Sequence, residues 1–293
     1  MAEQLTETGL VIGYSKRYNH GAGARGQSAW LYDGTTTVRL GFFGSGYTRL
    51  DGYRYSKATD VTESGFVIGY SARFRSHTYT CLGQTAWLYN GTATRRIGLI
   101  DSEHIRSDGY SYSWPLHLTE SGLVVGYSKR YTGSQDMGQS AWLYDGITTR
   151  PIGLTDPEHT RSDGYRVSTP QWLTESGLVT GHSNRYAGSQ CMGRTVWLYD
   201  GTTTRPIGLA DPIHTRNDGY RYSHISRLTE SGFVGGFSIR YNGGPTELGR
   251  TAWVYDPLAD TTVALIGSVR SDGYAFSEVL YLGDDGLVLG YYE

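Results

Sequence analysis

One seven-residue pattern, Gly-(Gln/Arg)-(Ser/Thr)-(Ala/Val)-Trp-(Leu/Val)-Tyr, recurs along the chain with its tryptophan at Trp30, Trp87, Trp142, Trp197 and Trp253. The spacings are 57, 55, 55 and 56 residues. A fixed period of this size restricts the fold to a solenoid, a propeller or an array, and the interior of the repeat chooses among them. Four short strands are expected in the repeat that spans 109–163, at 110–118, 123–127, 140–144 and 149–154. Thr-Glu-Ser-Gly at 119–122 and Asp-Gly at 145–146 are tight-turn signals between them, so consecutive strands run antiparallel. Apolar residues fall on both faces, as in Leu-Val-Val-Gly-Tyr and Ala-Trp-Leu-Tyr, which describes a sheet buried on both sides. That is a propeller blade wedged between its neighbours. No ten-residue stretch carries helical periodicity, which excludes a helical solenoid.

The expected fold is therefore all-β: a five-bladed β-propeller with four antiparallel strands per blade. It forms a single domain over 1–293, with repeats at about 1–51, 52–108, 109–163, 164–218 and 219–272 and closing strands at 273–293. The termini suggest how the ring closes. With strands lettered a to d from the axis outward, the N-terminus supplies b, c and d while the C-terminus ends with an a strand at 274–282, so joining the two completes the fifth blade. One strand is then surplus, because 10–14 and 287–291 are both of b type, and self-association through it is an expected partner mode.

An apolar strand ending in Gly-Tyr, then Trp-Leu-Tyr-Asp-Gly, then a short outer strand resembles the kelch type of blade. The order is still more similar to bacterial HAF-type repeats, which pair a Gly-x-Val-Val-Gly strand with an Ala-Phe or Ala-Trp strand. The resemblance covers nearly the whole chain and implies a fold. It implies no activity, and the double glycine of kelch occurs only at Gly235 and Gly236.

Charge narrows the partners. Lys plus Arg number 26 against 28 Asp plus Glu, which gives no electrostatic footprint for nucleic acid. No apolar run approaches the ~18 residues of a membrane span, so no membrane insertion is expected. The opening Met-Ala-Glu-Gln lacks the basic and apolar regions of a leader, which reads as cytoplasmic by default, or secreted if a leader was removed. Cys81 and Cys191 occupy equivalent positions in non-adjacent repeats and are expected as free thiols.

Binding residues favour loops held by a rigid scaffold, and the longer loops, such as 132–137 and 155–162, fall on one propeller face. Arg-x-Asp-Gly-Tyr stands on that face in five copies: Arg49, Asp51 and Tyr53; Arg106, Asp108 and Tyr110; Arg161, Asp163 and Tyr165; Arg216, Asp218 and Tyr220; Arg270, Asp272 and Tyr274. A planar cation, a carboxylate and a ring at one spot suit a sugar, by fork-shaped hydrogen bonds and stacking. An Arg–Asp pair present in every blade also suits a purely architectural role. A second repeated arginine, at Arg17, Arg73, Arg130, Arg185 and Arg240, closes strand b near the same face.

Asp101, Asp156 and Asp211 each precede a histidine, at His104, His159 and His214, by three residues. Two side chains per blade fall short of the three or four converging ligands that zinc requires, so loop capping by the Asp with a partly exposed His is expected, with no metal and no cofactor. The second half of strand a varies between blades and offers Lys57, Asp60, His117, His224, Arg227 and Glu278 as a channel lining. Close packing in a narrow channel accounts for that variation. A multivalent binder of glycans or other repetitive polar ligands is the leading expectation and an interaction or structural propeller the second. A glycosidase or polysaccharide lyase comes third, since five-fold copying works against one asymmetric catalytic constellation.

Overall fold

The computed structural model describes residues 1–18, 23–76 and 78–293. It is all-β, with 22 strands and one short 3-10 turn at Ser45–Tyr47. Two compact units divide the chain, Met1–Pro151 and Ile152–Glu293. Among the described residues no helix is long and apolar enough to cross a membrane.

In the first unit the strands come in fours. They are β1 (Ala2–Leu5), β2 (Val11–Tyr18), β3 (Ala24–Tyr32) and β4 (Thr37–Leu40); β5 (Arg54–Val61), β6 (Val67–Phe74), β7 (Cys81–Tyr89) and β8 (Thr94–Arg96); and β9 (Ser111–Leu118), β10 (Val124–Thr132), β11 (Gln135–Tyr144) and β12 (Thr149–Ile152). The second unit continues with β13 (Arg166–Leu173), β14 (Val179–Ala187), β15 (Gln190–Tyr199) and β16 (Thr204–Ile207). It then has β17 (Arg221–Leu228), β18 (Val234–Tyr241), β19 (Glu247–Asp256) and β20 (Thr261–Leu265), and finally β21 (Ala275–Leu282) and β22 (Val288–Tyr292). Strands within a module pair antiparallel, as β5 with β6, β6 with β7 and β7 with β8. The third strand of one module then meets the first of the next in a short parallel contact, β3 with β5, β7 with β9, β15 with β17 and β19 with β21. These are propeller-type blades in sequence.

The repeat pattern explains the packing. Each tryptophan stands across from the glycine of the second strand, as Gly69 opposite Trp87 and Gly126 opposite Trp142. A Cβ on either glycine would overlap the six-membered ring, so the Gly-Tyr and Trp motifs are two halves of one contact. Trp87, Trp142, Trp197 and Trp253 are fully buried. At ~150–250 Å² each, such burial contributes at most about 4–6 kcal/mol per ring. The core lies between modules: Ala86, Leu88 and Ile97 of the second pack on Val124, Trp142 and Tyr144 of the third.

Two repeated polar devices tie modules together. Buried serines bond in pairs, Ser113 to Ser128 at 2.8 Å and Ser223 to Ser238 at 2.8 Å, and the second serine of each accepts the N–H of Leu99 or Leu209 from the preceding module. At the tight turns, the Glu120 carboxylate accepts the N–H groups of Glu63 and Ser64 at 2.9 Å, and Glu63 accepts those of Glu7 and Thr8. Glu230 does the same for Glu175.

Closure differs from the sequence expectation. The N-terminal residues already form an inner strand, β1, which pairs with β2, while β21 pairs with β19 and β22. Four extended residues take the inner edge of β2, the place expected for the C-terminal a strand, so among the described residues no ladder joins β21 to β2. Among the described residues β1 to β20 follow one another in sets of four, and β21 and β22 repeat the first two strands of the pattern. Cys81 and Cys191 are free and exposed.

Candidate functional site

Each Arg-x-Asp-Gly-Tyr segment folds into the same closed loop. The backbone N–H of Arg106 donates to the Tyr110 carbonyl at 2.9 Å, and Gly109 N–H returns to the Arg106 carbonyl at 2.9 Å. Gly109 sits at φ +89°, a conformation that glycine adopts without strain. The carboxylate of Asp108 then accepts the Tyr110 N–H at 3.1 Å and the Arg106 guanidinium at 2.6 Å. The guanidinium lies over the Tyr110 ring with its carbon 5.0 Å from the centroid. The geometry recurs at Arg161–Tyr165 (4.9 Å), Arg216–Tyr220 (5.0 Å) and Arg270–Tyr274 (5.2 Å), and at Arg49–Tyr53 (4.7 Å), where Asp51 is gripped by two nitrogens of Arg49. Asp163, Asp218 and Asp272 accept their arginines at 2.6, 2.6 and 2.9 Å.

Thus the structure brings together all three expected residues of every copy, two copies in the first unit and three in the second. In four of the five copies a fourth group joins them: the tyrosine meets a ring at the end of the second strand, Tyr110 with Tyr131, Tyr165 with Tyr186, Tyr220 with Tyr241 and Tyr53 with Phe74, all near-perpendicular at 5.9–6.1 Å. The cluster is a fixed platform that remains open to solvent, with Arg161 30% and Asp163 40% exposed. The Tyr110 N–H and then Arg106 hold the Asp108 carboxyl below its usual range, and the Tyr165 N–H and Arg161 do the same for Asp163, so both stay ionised. Beside Tyr53 opens a cavity of about 310 Å³ that also touches Arg17, Gln27 and Tyr55.

The second arginine is a clamp. Arg185 is buried, and its Nη1 donates to the Met192 carbonyl at 3.2 Å and to the Gly219 carbonyl of the next platform loop at 2.7 Å, while Nη2 faces Glu158 at 3.4 Å. Arg17 reaches Gly52 and Arg73 reaches Gly109 in the same way. Its recurrence beside each platform was visible in the sequence; its reach across a module boundary was not.

The histidines are buried, at 3% exposure, rather than partly exposed. His104 Nδ1 pairs with Asp101 at 2.7 Å and Nε2 with Ser140 Oγ at 3.1 Å, and His214 bridges Asp211 and Thr251 likewise. In the first such loop Tyr47 OH takes the corresponding place against Thr85 at 3.3 Å. A tyrosine serving where histidines serve marks the position as a plug between loop and strand. Burial is the main influence on all three histidines and drives them below the ordinary imidazole range, against the pull of their aspartates. Among the described residues no group of three or more His, Cys, Asp or Glu side chains is placed to hold a metal ion.

Five of the variable inner residues have partners within their own unit. Lys57 pairs with Glu3 at 3.3 Å, and Asp60 accepts Gln4 at 3.1 Å. In the second unit His224 bonds Arg194 at 2.9 Å, Glu278 binds Arg250 at 2.6 Å, and Arg227 reaches the Leu280 carbonyl at 3.4 Å. His117 lies on β9, opposite Val125 of β10.

A family model described as "Protein of unknown function (DUF3466)" matches residues 35–235, more than half of the chain. The chain belongs to this family. No curated protein sequence matches it. In place of the HAF-type or kelch family, DUF3466 is thus the family shown. Among solved structures, the β-propeller domain of the trilobed protease from Pyrococcus furiosus is 11% identical at a TM-score of 0.43, over 90% of this chain and 64% of that one. Acylaminoacyl peptidase from Pyrococcus horikoshii is 10% identical at a TM-score of 0.43, over 88% of this chain and 36% of that one. A lectin from Aleuria aurantia is 10% identical at a TM-score of 0.29, over 89% and 78%. The DUF3466 chain thus spans less than two thirds of the length of the first two.

Proposed function

We propose that this DUF3466 protein is a multivalent binder of carbohydrate or a similarly hydroxyl-rich, repetitive ligand, engaged by the Arg–Asp–Tyr platforms. The reading rests on one observation: five copies of a solvent-accessible Arg–Asp–Tyr cluster share a single geometry, with a guanidinium over a tyrosine ring. The outward plane of the guanidinium offers stacking surface, and the carboxylate and remaining N–H groups offer hydroxyl partners. Each site is shallow and weak on its own. Several rigidly displayed copies gain effective concentration when the ligand repeats too.

A second reading, an interaction or structural propeller without a small ligand, draws on the fact that each Asp is already satisfied within its own loop. The glycosidase reading has less support: Asp60 and Glu278, the two carboxylates among the variable inner residues, are each already engaged by a neighbouring side chain.

A glycan-array screen of the intact protein, followed by calorimetric stoichiometry on any hit, separates these. About five sites per chain, with avidity reduced by Arg161→Ala plus Tyr165→Ala in one platform, is the expected result. A single site would move attention to the inner residues, and no binding to any glycan would sink the proposal in favour of the interaction scaffold.

A further inference from the structure

One position of the repeat changes residue type in the second unit. Three residues before the repeated tryptophan stand Gln27, Gln84 and Gln139, and then Arg194 and Arg250. The glutamine has a structural task there. Gln27 and Gln84 donate through Nε2 to the carbonyls of Ser56 and Ser113, on the first strand of the next module, at 3.3 and 3.2 Å. Arg194 performs the same task with a single N–H, from Nε to the Ser223 carbonyl at 3.0 Å. Its guanidinium then does what a glutamine cannot: it lies over the Tyr222 ring, 4.2 Å from the centroid, and Nη2 donates to His224 Nδ1 at 2.9 Å. These contacts fix the plane of the group and use two of its five N–H bonds.

The two arginines differ in charge balance. Arg250 is neutralised, because its Nη2 binds the Glu278 carboxylate at 2.6 Å. Among the described residues no carboxylate bonds to Arg194; burial lowers its pKa, and only Tyr222 and Tyr220 act against that. Burial and then Arg194 itself hold His182, pushed down to about 4, and His224 below the imidazole range, so Arg194 is the cation of this cluster. A half-buried cation without a counter-ion costs stability that glutamine would not, and the bond to Ser223 gives no reason for it. A cavity of about 200 Å³ lies beside it, lined by Arg194, Arg221, Ser223, Ile207 and Leu209 among others, with no acidic residue in its wall. Arg221 shares one carboxylate, Glu158, with Arg185, at 3.1 and 3.4 Å. The space is below the ~300–1,000 Å³ that encloses a whole ligand, and it suits one small group.

We infer that the cavity between Arg194 and Arg221 is a seat for one oxyanionic group, the carboxylate or sulfate of an acidic ligand. A guanidinium whose plane is already fixed binds such a group through forked, charge-assisted hydrogen bonds with little further ordering. The anion supplies the counter-charge that the fold withholds. Neither cation belongs to an Arg–Asp–Tyr platform, so the seat stands or falls apart from the carbohydrate reading.

The test is titration calorimetry at constant ionic strength, with sodium sulfate and sodium glucuronate added separately to the intact protein. One saturable site per chain is expected for at least one of the two, and the tighter of them identifies the preferred group. Arg194→Gln keeps a donor for the Ser223 carbonyl, as in the first modules, and should weaken that binding at least about tenfold, the loss of a charge-assisted hydrogen bond. Its urea midpoint should be unchanged or higher. Arg221→Gln should weaken binding in the same direction, and Arg95→Gln, an exposed arginine of the first unit, should leave it unchanged. No saturable binding of either anion to the unaltered protein, undiminished binding by Arg194→Gln, or equal weakening by Arg95→Gln overturns the inference. A marked fall in the urea midpoint of Arg194→Gln, or its failure to fold, assigns the arginine to packing and overturns the charge argument, while Arg221→Gln still tests the cavity.

Discussion

The two repeated arginines look alike in sequence, and the structure assigns them opposite energetics that substitution in the second unit can measure. Arg185→Ala removes a buried guanidinium that donates to two backbone carbonyls from different modules and faces Glu158. Loss of one partner from a buried charged network costs ~3–5 kcal/mol; Glu158 is 55% exposed and relaxes into water, so the lower end, about 3 kcal/mol, is expected. Arg161→Ala removes a side chain that is 30% exposed, and Asp163 keeps its bond to the Tyr165 N–H. An exposed ion pair and an exposed cation–π contact contribute ~0–1 and ~0.5–1 kcal/mol, which places this change near 1 kcal/mol. The difference of about 2 kcal/mol is roughly a thirtyfold change in the unfolding equilibrium. Urea unfolding followed by tryptophan fluorescence reads it as a shift in midpoint at constant slope, and Trp197, buried in the same unit, reports the transition. If Arg161→Ala destabilises the unit as much as Arg185→Ala, the platform is architectural, and its separation from the clamp is wrong.

Acid should weaken the fold in two stages. His104, His159 and His214 have lowered pKa values, so their unfolded forms take up protons first; their contribution is complete above about pH 6.5 and is lost as pH falls from there through their folded values, at no more than ~1.4 kcal/mol per pH unit each. Urea midpoints measured between pH 7.5 and 5 should fall, and His214→Gln should flatten the slope; an unchanged slope would show that the plug histidine is not held neutral. Glu63 and Glu120 are also lowered, the first through the N–H groups of Glu7 and Thr8, the second through those of Glu63 and Ser64, which prevail over desolvation. Their contribution is present above about pH 4.5 and is lost as pH falls below it. Glu120→Gln should cost about 0.5–1 kcal/mol at pH 7 after solvent screening, measured as a lower urea midpoint, and almost nothing at pH 3.

What the sequence conveyed well was whatever repeats in register. The period of the tryptophans, the glycine-bearing turns and the apolar second and third strands translate directly into β5 to β8 and their copies, because each is a local pattern with a local cause. Each Arg-x-Asp-Gly-Tyr copy was legible as a unit for the same reason: its Arg, Asp and Tyr lie within five residues, whereas the ring packed on the tyrosine, such as Tyr131 on Tyr110, was not legible. Contacts across a module boundary were not legible. Ser128 accepting from Leu99, Glu120 capping the turn at Glu63, and Arg73 reaching Gly109 join residues 29 to 57 apart, and nothing in the local pattern encodes such a distance. Their one signal was recurrence of Ser, Glu and Arg at positions where strand propensity alone would not select them. The expected closure failed on the smallest element. Ala2–Leu5 is too short and too polar to read as a strand, yet it needs only the exposed ladder of β2 to become one.

Repetition alone cannot separate function from architecture in this chain, because recent duplication copies both. Energetic need can. The tryptophan, the serine pair, the turn glutamate and the clamp each close a contact between modules, so every copy is required wherever another module follows, and their recurrence is explained without a ligand. In the platform the Arg–Asp pair closes within one loop, and its exposed side contributes little to holding modules together, whereas the tyrosine also packs on a ring of the second strand and beside a glycine of the preceding module. A glycine turn with any small polar residue would hold that loop at similar cost. The five solvent-accessible Arg–Asp pairs are therefore the part of the repeat that packing accounts for least. A ligand reading accounts for it, and the small expected effect of Arg161→Ala on stability is the condition on which that step depends.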